Sequence, residues 1–179
     1  MSKKKSLLQT ALIHAKIDEE KGLVEAIEMD FNKILKNVDI FEGLSDHELT
    51  EVAKICKERQ YYRGQTIAQE GDQGNEFFII SSGFVDILIG GMQPESARVV
   101  VSLGSGQVIG EMALLDQGPR SASIIASSNP TTVQAIKRKD FEHLCQEHTN
   151  IGYIVMHNLA ADLSFKLRHR NLNDRQAGS

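Results

Sequence analysis

The pattern of apolar positions changes twice along the chain. From residue 6 to residue 37, apolar side chains recur every three or four positions, which is helical spacing. From Gln60 to Ile136, short runs rich in β-branched and aromatic residues are separated by glycines. After Ile136 the helical spacing returns. The pattern therefore predicts helices at both ends of the chain and a β-rich centre.

The β-rich centre contains eight short segments with strand character, joined by connections that often contain glycine. These segments are residues 61–63, 66–69, 76–81, 84–89, 98–103, 107–109, 122–127 and 131–136. Many short strands with frequent turn signals indicate an antiparallel sandwich or jelly roll. The expected fold class is α+β, mainly β: an antiparallel eight-stranded β roll with flanking N-terminal and C-terminal helices.

Helices are predicted on both sides of the roll. Ser45 and Glu48 form an S-x-x-E capping box, which predicts a helix from Asp46 to about Glu58. Beyond the roll, the spacing predicts a short helix over 140–147 and a longer one over 150–171. We expect residues 1–37 to be a helical extension that packs on the chain's own core or docks a partner. Residues 38–179 would form one domain, with the roll at about 60–136 and C-terminal helices at 138–171.

Composition narrows the class of protein. The chain has 179 residues and a formal net charge of −4, which disfavours sequence-independent nucleic-acid binding. Its two cysteines, Cys56 and Cys145, do not form a metal-type pair, and we interpret them as reduced thiols. The N-terminus is too polar for a signal peptide, and no apolar run is long enough to cross a membrane. These features predict a cytoplasmic protein with no membrane contact.

One helix-forming segment, residues 111–116, interrupts the predicted strands. The start of a helix offers unpaired N–H groups to an anion, and Gly110 lets a ligand approach the backbone closely. Arg120 can pair with a phosphate. Glu111 can accept from a hydroxyl, and it can also hold Arg120 as a counter-charge. Together these residues fit a singly charged phosphate beside a ribose hydroxyl, as in a nucleoside 3′,5′-cyclic monophosphate.

The same segment resembles the phosphate-binding cassette of cyclic-nucleotide-binding domains, which has the pattern G-E-(L/M)-A-L-x(4,5)-P-R-x-A. The matching residues are Gly110, Glu111, Met112, Ala113, Leu114, Pro119, Arg120 and Ala122. Weaker similarity extends over residues 38–170, including the predicted first strands of the roll.

The resemblance implies a role for each cassette position. Glu111 would accept from the ribose 2′-hydroxyl, and Arg120 would pair with the cyclic phosphate. The backbone N–H groups of Met112 and Ala113 would face the ligand. Ser121, at a position linked in the family to the choice of base, leaves cyclic AMP or cyclic GMP open, and we expect cyclic AMP to be preferred. Ala122 completes the predicted ligand-binding set, and Ser123 is expected to face away from the ligand.

Enzymes of the cupin type share the roll architecture but generally bind metal through histidines on it. The six histidines all lie at or before His47 or at or after His143, so a histidine metal site in the roll is excluded. No nucleophile–base arrangement is evident in the sequence. The sequence therefore predicts a regulatory sensor that is not an enzyme and needs no metal.

Two alternatives are not enzymes. A transcription regulator of the catabolite activator type has a helix-turn-helix after the long helix; this chain stops about ten residues after that helix, so no direct DNA binding is expected unless it is a fragment. The other alternative is a dimerisation or scaffold module that binds no ligand. A regulatory sensor implies a downstream protein that it regulates, and no motif in the sequence names that partner.

The long C-terminal helix is the predicted output of the sensor. Its apolar positions Met156, Leu159, Leu163 and Leu167 fall near one face, which packs on the roll or on a second copy. The resemblance to bacterial activators favours a homodimer through residues 152–168. It also places Arg170 and Asn171 as a possible lid over the base, which would relay occupancy through this helix.

Overall fold

The fold is taken from a computed structural model that describes residues 31–90, 98–116 and 118–177, with side chains described as far as Arg168. Most of the predicted N-terminal helix, 6–37, lies outside the described residues. Its last part, residues 31–36, is helical.

Eight strands form two antiparallel four-stranded sheets. The strands are β1 (Lys57–Tyr61), β2 (Thr66–Ala68), β3 (Glu76–Ser82), β4 (Phe84–Ile89), β5 (Arg98–Gly104), β6 (Val108–Ile109), β7 (Ser123–Ala126) and β8 (Thr131–Lys137). One sheet has the order β1-β8-β3-β6 and the other the order β2-β7-β4-β5. The predicted fold class, an eight-stranded antiparallel roll with flanking helices, is confirmed.

Besides the helical residues 31–36, the described chain contains three helices and two 3₁₀ turns. The helices are α1 (Asp46–Lys54), α2 (Arg138–Glu147) and α3 (Thr149–Ala177), and the 3₁₀ turns are Asp39–Phe41 and Glu111–Leu114. Helix α1 begins with the predicted capping box, in which the Ser45 side chain accepts from the backbone N–H of Glu48. Among the described residues, no helix is both long enough and apolar enough to span a membrane.

The boundary between α1 and β1 differs from the prediction. The helix was expected to reach Glu58, but it ends at Lys54, and β1 begins at Lys57 instead of Tyr61. Residues from Lys57 to Tyr61 pair in register with β8, from Ala135 back to Thr131. The hydrogen bonds of this ladder outweigh the helical propensity of a polar segment, because propensity is a weak prior that tertiary pairing overrides.

Strand β3 is buried on both faces and connects the two parts of the core. Phe77 and Ile79 contact the helices, whereas Phe78 and Ile80 point between the sheets, because successive side chains of a strand alternate. Phe77 packs edge to face on Phe141 of α2, with ring centroids 5.9 Å apart. One strand therefore fixes the helical layer against the roll.

Helix α3 is fastened to the N-terminal part of the domain. The amide nitrogen of Asn158 donates to the carbonyls of Ile40 and Glu42 at 3.2 and 2.8 Å. Asn150 donates to a carboxylate oxygen of Glu48 at 2.6 Å. The first half of α3 is thus part of the folded domain.

The apolar face predicted for the long helix needs a correction. Leu159 is fully buried in the chain's own core, and Met156 and Leu163 pack partly against the same cluster. Leu167 is different, because it is 60% exposed. The predicted face of Met156, Leu159, Leu163 and Leu167 is therefore not free as a whole to pair with a second copy, because Leu159 packs inside its own chain.

Substitution of α3 leucines should separate these two environments. Leu159→Ala leaves a cavity in a packed core and should lower the free energy of unfolding by about 2–5 kcal/mol. Leu167→Ala is the matched control and should change it by less than about 0.5 kcal/mol when both variants are measured in protein dilute enough to be monomeric. Chemical denaturation followed by circular dichroism measures both values. Similar losses for the two variants would contradict this packing.

Candidate functional site

The site is a cavity of about 360 Å³ beside the Glu111–Leu114 turn. It is lined by the cassette residues, by the sheet β2-β7-β4-β5 and by Lys166 of α3. The volume lies at the lower end of the range for small-molecule sites, about 300–1,000 Å³. The cavity can therefore hold a compact organic ligand.

One wall of the cavity is apolar. Ile87 of β4, Val101 and Leu103 of β5 and Ile124 of β7 all line it. These residues come from three neighbouring strands, so their side chains meet only because the sheet aligns them. Such a wall suits a flat, weakly polar group.

The cassette begins at Gly110, whose backbone is left-handed with φ of 73°. A Cβ at this position would overlap the Nη1 atom of Arg120. The predicted short helix is a single 3₁₀ turn, Glu111–Leu114. Within this turn the N–H of Ala113 donates to the Gly110 carbonyl at 3.1 Å, so this amide is already satisfied inside the protein.

Arg120 is held at one side of the cavity by backbone oxygens. Its Nη2 atom donates to the carbonyl of Glu76 at 2.6 Å, and its Nη1 atom donates to that of Gly110 at 3.4 Å. The guanidinium carbon lies 5.6 Å from the centre of the Phe78 ring. Burial lowers the pKa of Arg120, and the charges of Glu76 and Asp72 oppose that shift. A partly desolvated cation that is held in place suits an anionic partner.

Strand β3, which carries the Glu76 carbonyl, is held in place by a side-chain contact with β1. The Glu76 carboxylate accepts two hydrogen bonds from Arg59 of β1, both 2.8 Å long. Hydrogen bonding to Glu76 raises the pKa of Arg59 above its usual range, although burial opposes the shift. Glu76 therefore uses its side chain to join β3 to β1, across the intervening β8, and its carbonyl to hold Arg120.

Glu111 does not serve as the counter-charge for Arg120 that the sequence suggested. Its carboxylate lies 3.4 Å from the Nζ atom of Lys166, and only 17% of its side chain is exposed. Arg120 instead satisfies its guanidinium with the two carbonyls described above. The two residues therefore provide separate contacts on the same cavity, one anionic and one cationic.

Lys166 is the charged residue among the cavity residues that sequence reasoning missed, which also include the apolar wall described above. It lines the cavity from α3, more than 40 residues along the chain from the cassette. Asp162 and Lys166 are four residues apart, which is the spacing of an ion pair on one helix face. The structure contains this pair, with Nζ 2.7 Å from the Asp162 carboxylate. No sequence signal placed this part of α3 opposite Glu111, because that depends on how the helix packs on the roll.

The other predicted residues are placed as follows. Met112, Ala113, Ser121 and Ala122 line the cavity together with Gly110, Glu111 and Arg120. Ser123 is not among the lining residues, and its hydroxyl accepts from Gln69 at 3.1 Å. The side chains of Arg170 and Asn171, the possible lid, lie outside the described residues. In the described parts of the chain, no three histidine, cysteine, aspartate or glutamate side chains are grouped as metal ligands.

The two cysteines are free thiols, and both are partly buried. Burial raises the pKa of Cys56 to about 12. Burial also raises the pKa of Cys145, with a further contribution from the charge of Glu142. Neither thiol is activated, since activation requires a lowered pKa.

Comparison with known proteins gives the family. Residues 58–148 match the family model described as the cyclic nucleotide-binding domain. The cyclic AMP receptor protein of Thermus thermophilus is 34% identical over 77% of this chain and 61% of its own length. A cGMP-dependent protein kinase of Drosophila melanogaster is 33% identical over 69% of this chain and 13% of its own length.

Solved structures agree with the sequence comparison. The crystal structure of the Thermus thermophilus catabolite activator protein superposes with a TM-score of 0.67 at 33% identity, covering 78% of this chain and 63% of that one. This chain therefore spans less than two thirds of the length of these relatives. The matched segment contains the whole roll from Glu58 onwards, the cassette and α2. The chain belongs to the cyclic nucleotide-binding domain family.

Proposed function

We propose that this domain is a regulatory sensor that binds a nucleoside 3′,5′-cyclic monophosphate, with cyclic AMP preferred over cyclic GMP. The observation that carries the proposal is a single cavity with a fixed cation, Arg120, a carboxylate, Glu111, and an apolar wall. Phosphate, ribose hydroxyl and base require these three environments. The proposed unit is residues 38–179, with residues 1–37 as an extension.

The phosphate is assigned to Arg120. A guanidinium carries five N–H donors, and the carbonyls of Glu76 and Gly110 use two of them. The remaining donors are available to a phosphate. The left-handed Gly110 removes the side chain that would crowd this approach.

The ribose and the base are assigned to the rest of the cavity. Glu111 accepts from the ribose 2′-hydroxyl, because a carboxylate has lone pairs for several donors. The base lies against the wall of Ile87, Val101 and Leu103. The backbone N–H of Met112 faces the ligand in this arrangement, whereas the N–H of Ala113 donates to the Gly110 carbonyl.

The preference for cyclic AMP is supported by the relative named cyclic AMP receptor protein, at 34% identity. Relatives named cGMP-dependent protein kinases have nearly the same identity, so the preference depends on the pocket. Ser121 is the cavity residue next to Arg120, and its hydroxyl can contact either phosphate or base.

The proposed output is a homodimer that relays occupancy through α3, with regulation of a downstream protein instead of catalysis by this chain. Tyr153, Ala160 and Leu167 are exposed on α3 at intervals of seven residues. A seven-residue interval is the spacing of one of the two repeating apolar positions in the seam of a two-stranded coiled coil. Arg170 and Asn171 follow the seam as the proposed lid, and the cytoplasmic location stays a prediction.

Titration with both nucleotides tests the binding proposal directly. Wild-type protein should bind cyclic AMP more tightly than cyclic GMP in isothermal titration calorimetry. Arg120→Ala should weaken cyclic AMP binding by about thirtyfold to a few thousandfold, because a partly buried charge loses its partner. The control is Arg63→Ala, in which an exposed arginine is removed with little change in affinity. Arg120→Ala binding as tightly as wild type would rule out the assigned phosphate site.

Substitution of Gly110 is a second test of the phosphate site. Gly64 is the control, because it separates a steric clash with Arg120 from the strain of a left-handed backbone. Both Gly110 and Gly64 have positive φ, 73° and 86°, but a Cβ at Gly64 would meet no atom within 4 Å. Both alanine variants should therefore lose stability, by about 1 kcal/mol or more. Only Gly110→Ala should also lose cyclic AMP affinity, by at least about tenfold, because it displaces the Arg120 guanidinium. Equal affinities for the two folded variants would contradict this geometry.

The homodimer is tested by light scattering. The wild type should be dimeric, and Tyr153→Glu/Leu167→Glu should be monomeric because two charges enter the apolar seam. Both positions are exposed, at 69% and 60%, so the substitutions spare the core. Tyr62→Glu changes a similarly exposed aromatic residue and should stay dimeric. A monomeric wild type, or a dimeric double variant, would exclude this interface.

A further inference from the structure

In the part of α3 whose side chains the structure describes, Lys166 reaches the cassette. The Nζ atom of Lys166 lies 2.7 Å from the Asp162 carboxylate, one turn earlier on the same helix, and 3.4 Å from the Glu111 carboxylate. Asp162 fixes the lysine on α3, while Glu111 belongs to the 3₁₀ turn. The lysine is therefore a direct bridge between the helix and the cassette.

This bridge affects the charge of the cavity. An unpaired Glu111 would repel an anionic ligand, since both would carry negative charge in a partly enclosed site. Lys166 lines the cavity and compensates that charge. Burial by itself lowers the pKa of Lys166, but the hydrogen bond with Asp162 and the charge of Glu111 outweigh it and raise the pKa. The lysine therefore stays protonated at neutral pH.

We propose that Lys166 is a positioning residue: its ion pair holds the Glu111 carboxylate where it can accept from the nucleotide, and the same contact ties α3 to the cassette before any nucleotide binds. This inference rests on the proposed function. Because a carboxylate has lone pairs for several donors, Glu111 can accept from Lys166 and from a ribose hydroxyl together.

A double-mutant cycle with cyclic AMP tests the link between Lys166 and Glu111. Lys166→Met should weaken binding about three- to fivefold in the wild type, and less than about 1.5-fold in the Glu111→Gln background. Lys166→Arg keeps the charge and should restore most of the affinity. The control is Arg168→Met, which removes a charge from an exposed position on the same helix and should leave affinity unchanged. An unchanged affinity for Lys166→Met, or an equal loss in both backgrounds, overturns the proposal.

Hydrogen exchange without nucleotide tests the docking of α3 separately. Backbone amides of residues 160–168 should exchange faster in Lys166→Met and in Glu111→Gln than in the wild type or Arg168→Met. Unchanged exchange in the first two variants overturns the tie between α3 and the cassette, whatever the protein binds. A wild type that binds neither cyclic AMP nor cyclic GMP overturns the proposed function and the affinity part of this inference, and leaves the exchange result to decide the docking part.

Discussion

The guanidinium of Arg120 donates to the carbonyls of Glu76 and Gly110, and these two hydrogen bonds connect the start of β3 to the cassette turn. The cation is placed by backbone atoms, whose positions are set by the sheet. Glu76 is held in turn by the two hydrogen bonds from Arg59. Gly110 must lack a side chain for the guanidinium to reach its carbonyl. The phosphate contact proposed for this domain is therefore built before any ligand arrives, which lowers the ordering cost of binding.

Opposite charges stay separate across the cavity. Arg120 is satisfied by carbonyls and Glu111 by Lys166, so neither neutralises the other. If the two formed one pair, the cation would be occupied and the cavity would have less attraction for an anion. The separation leaves an attractive centre for a phosphate and an acceptor for a hydroxyl within one small volume. A cyclic nucleotide presents these two groups on adjacent parts of a rigid ring system.

Helix α3 has a different role on each of its faces. Ile151, Val155 and Leu159 are buried in the core, and Asn158 fastens the helix to the carbonyls of Ile40 and Glu42. Further along, Lys166 reaches the cassette, while Leu167 is exposed. The start of the helix is thus fixed by packing that is costly to disrupt, whereas the Lys166–Glu111 ion pair further along is partly exposed and by itself worth little. Such an element can respond to a ligand at the cassette without unfolding the domain.

The sequence by itself determined seven of the eight strands to within one residue at either end, the capping box of α1 and the grouping of the cassette residues. These follow from local periodicity, turn glycines and a motif whose members are close together in the chain. Only the tertiary structure decided that Lys57–Tyr61 pairs with β8, that Leu159 is a core residue and that Lys166 faces Glu111. Each of these depends on contacts between segments far apart in sequence. Periodicity shows that a helix has an apolar face, but it cannot say what that face meets, because the packing partner is set by the whole fold.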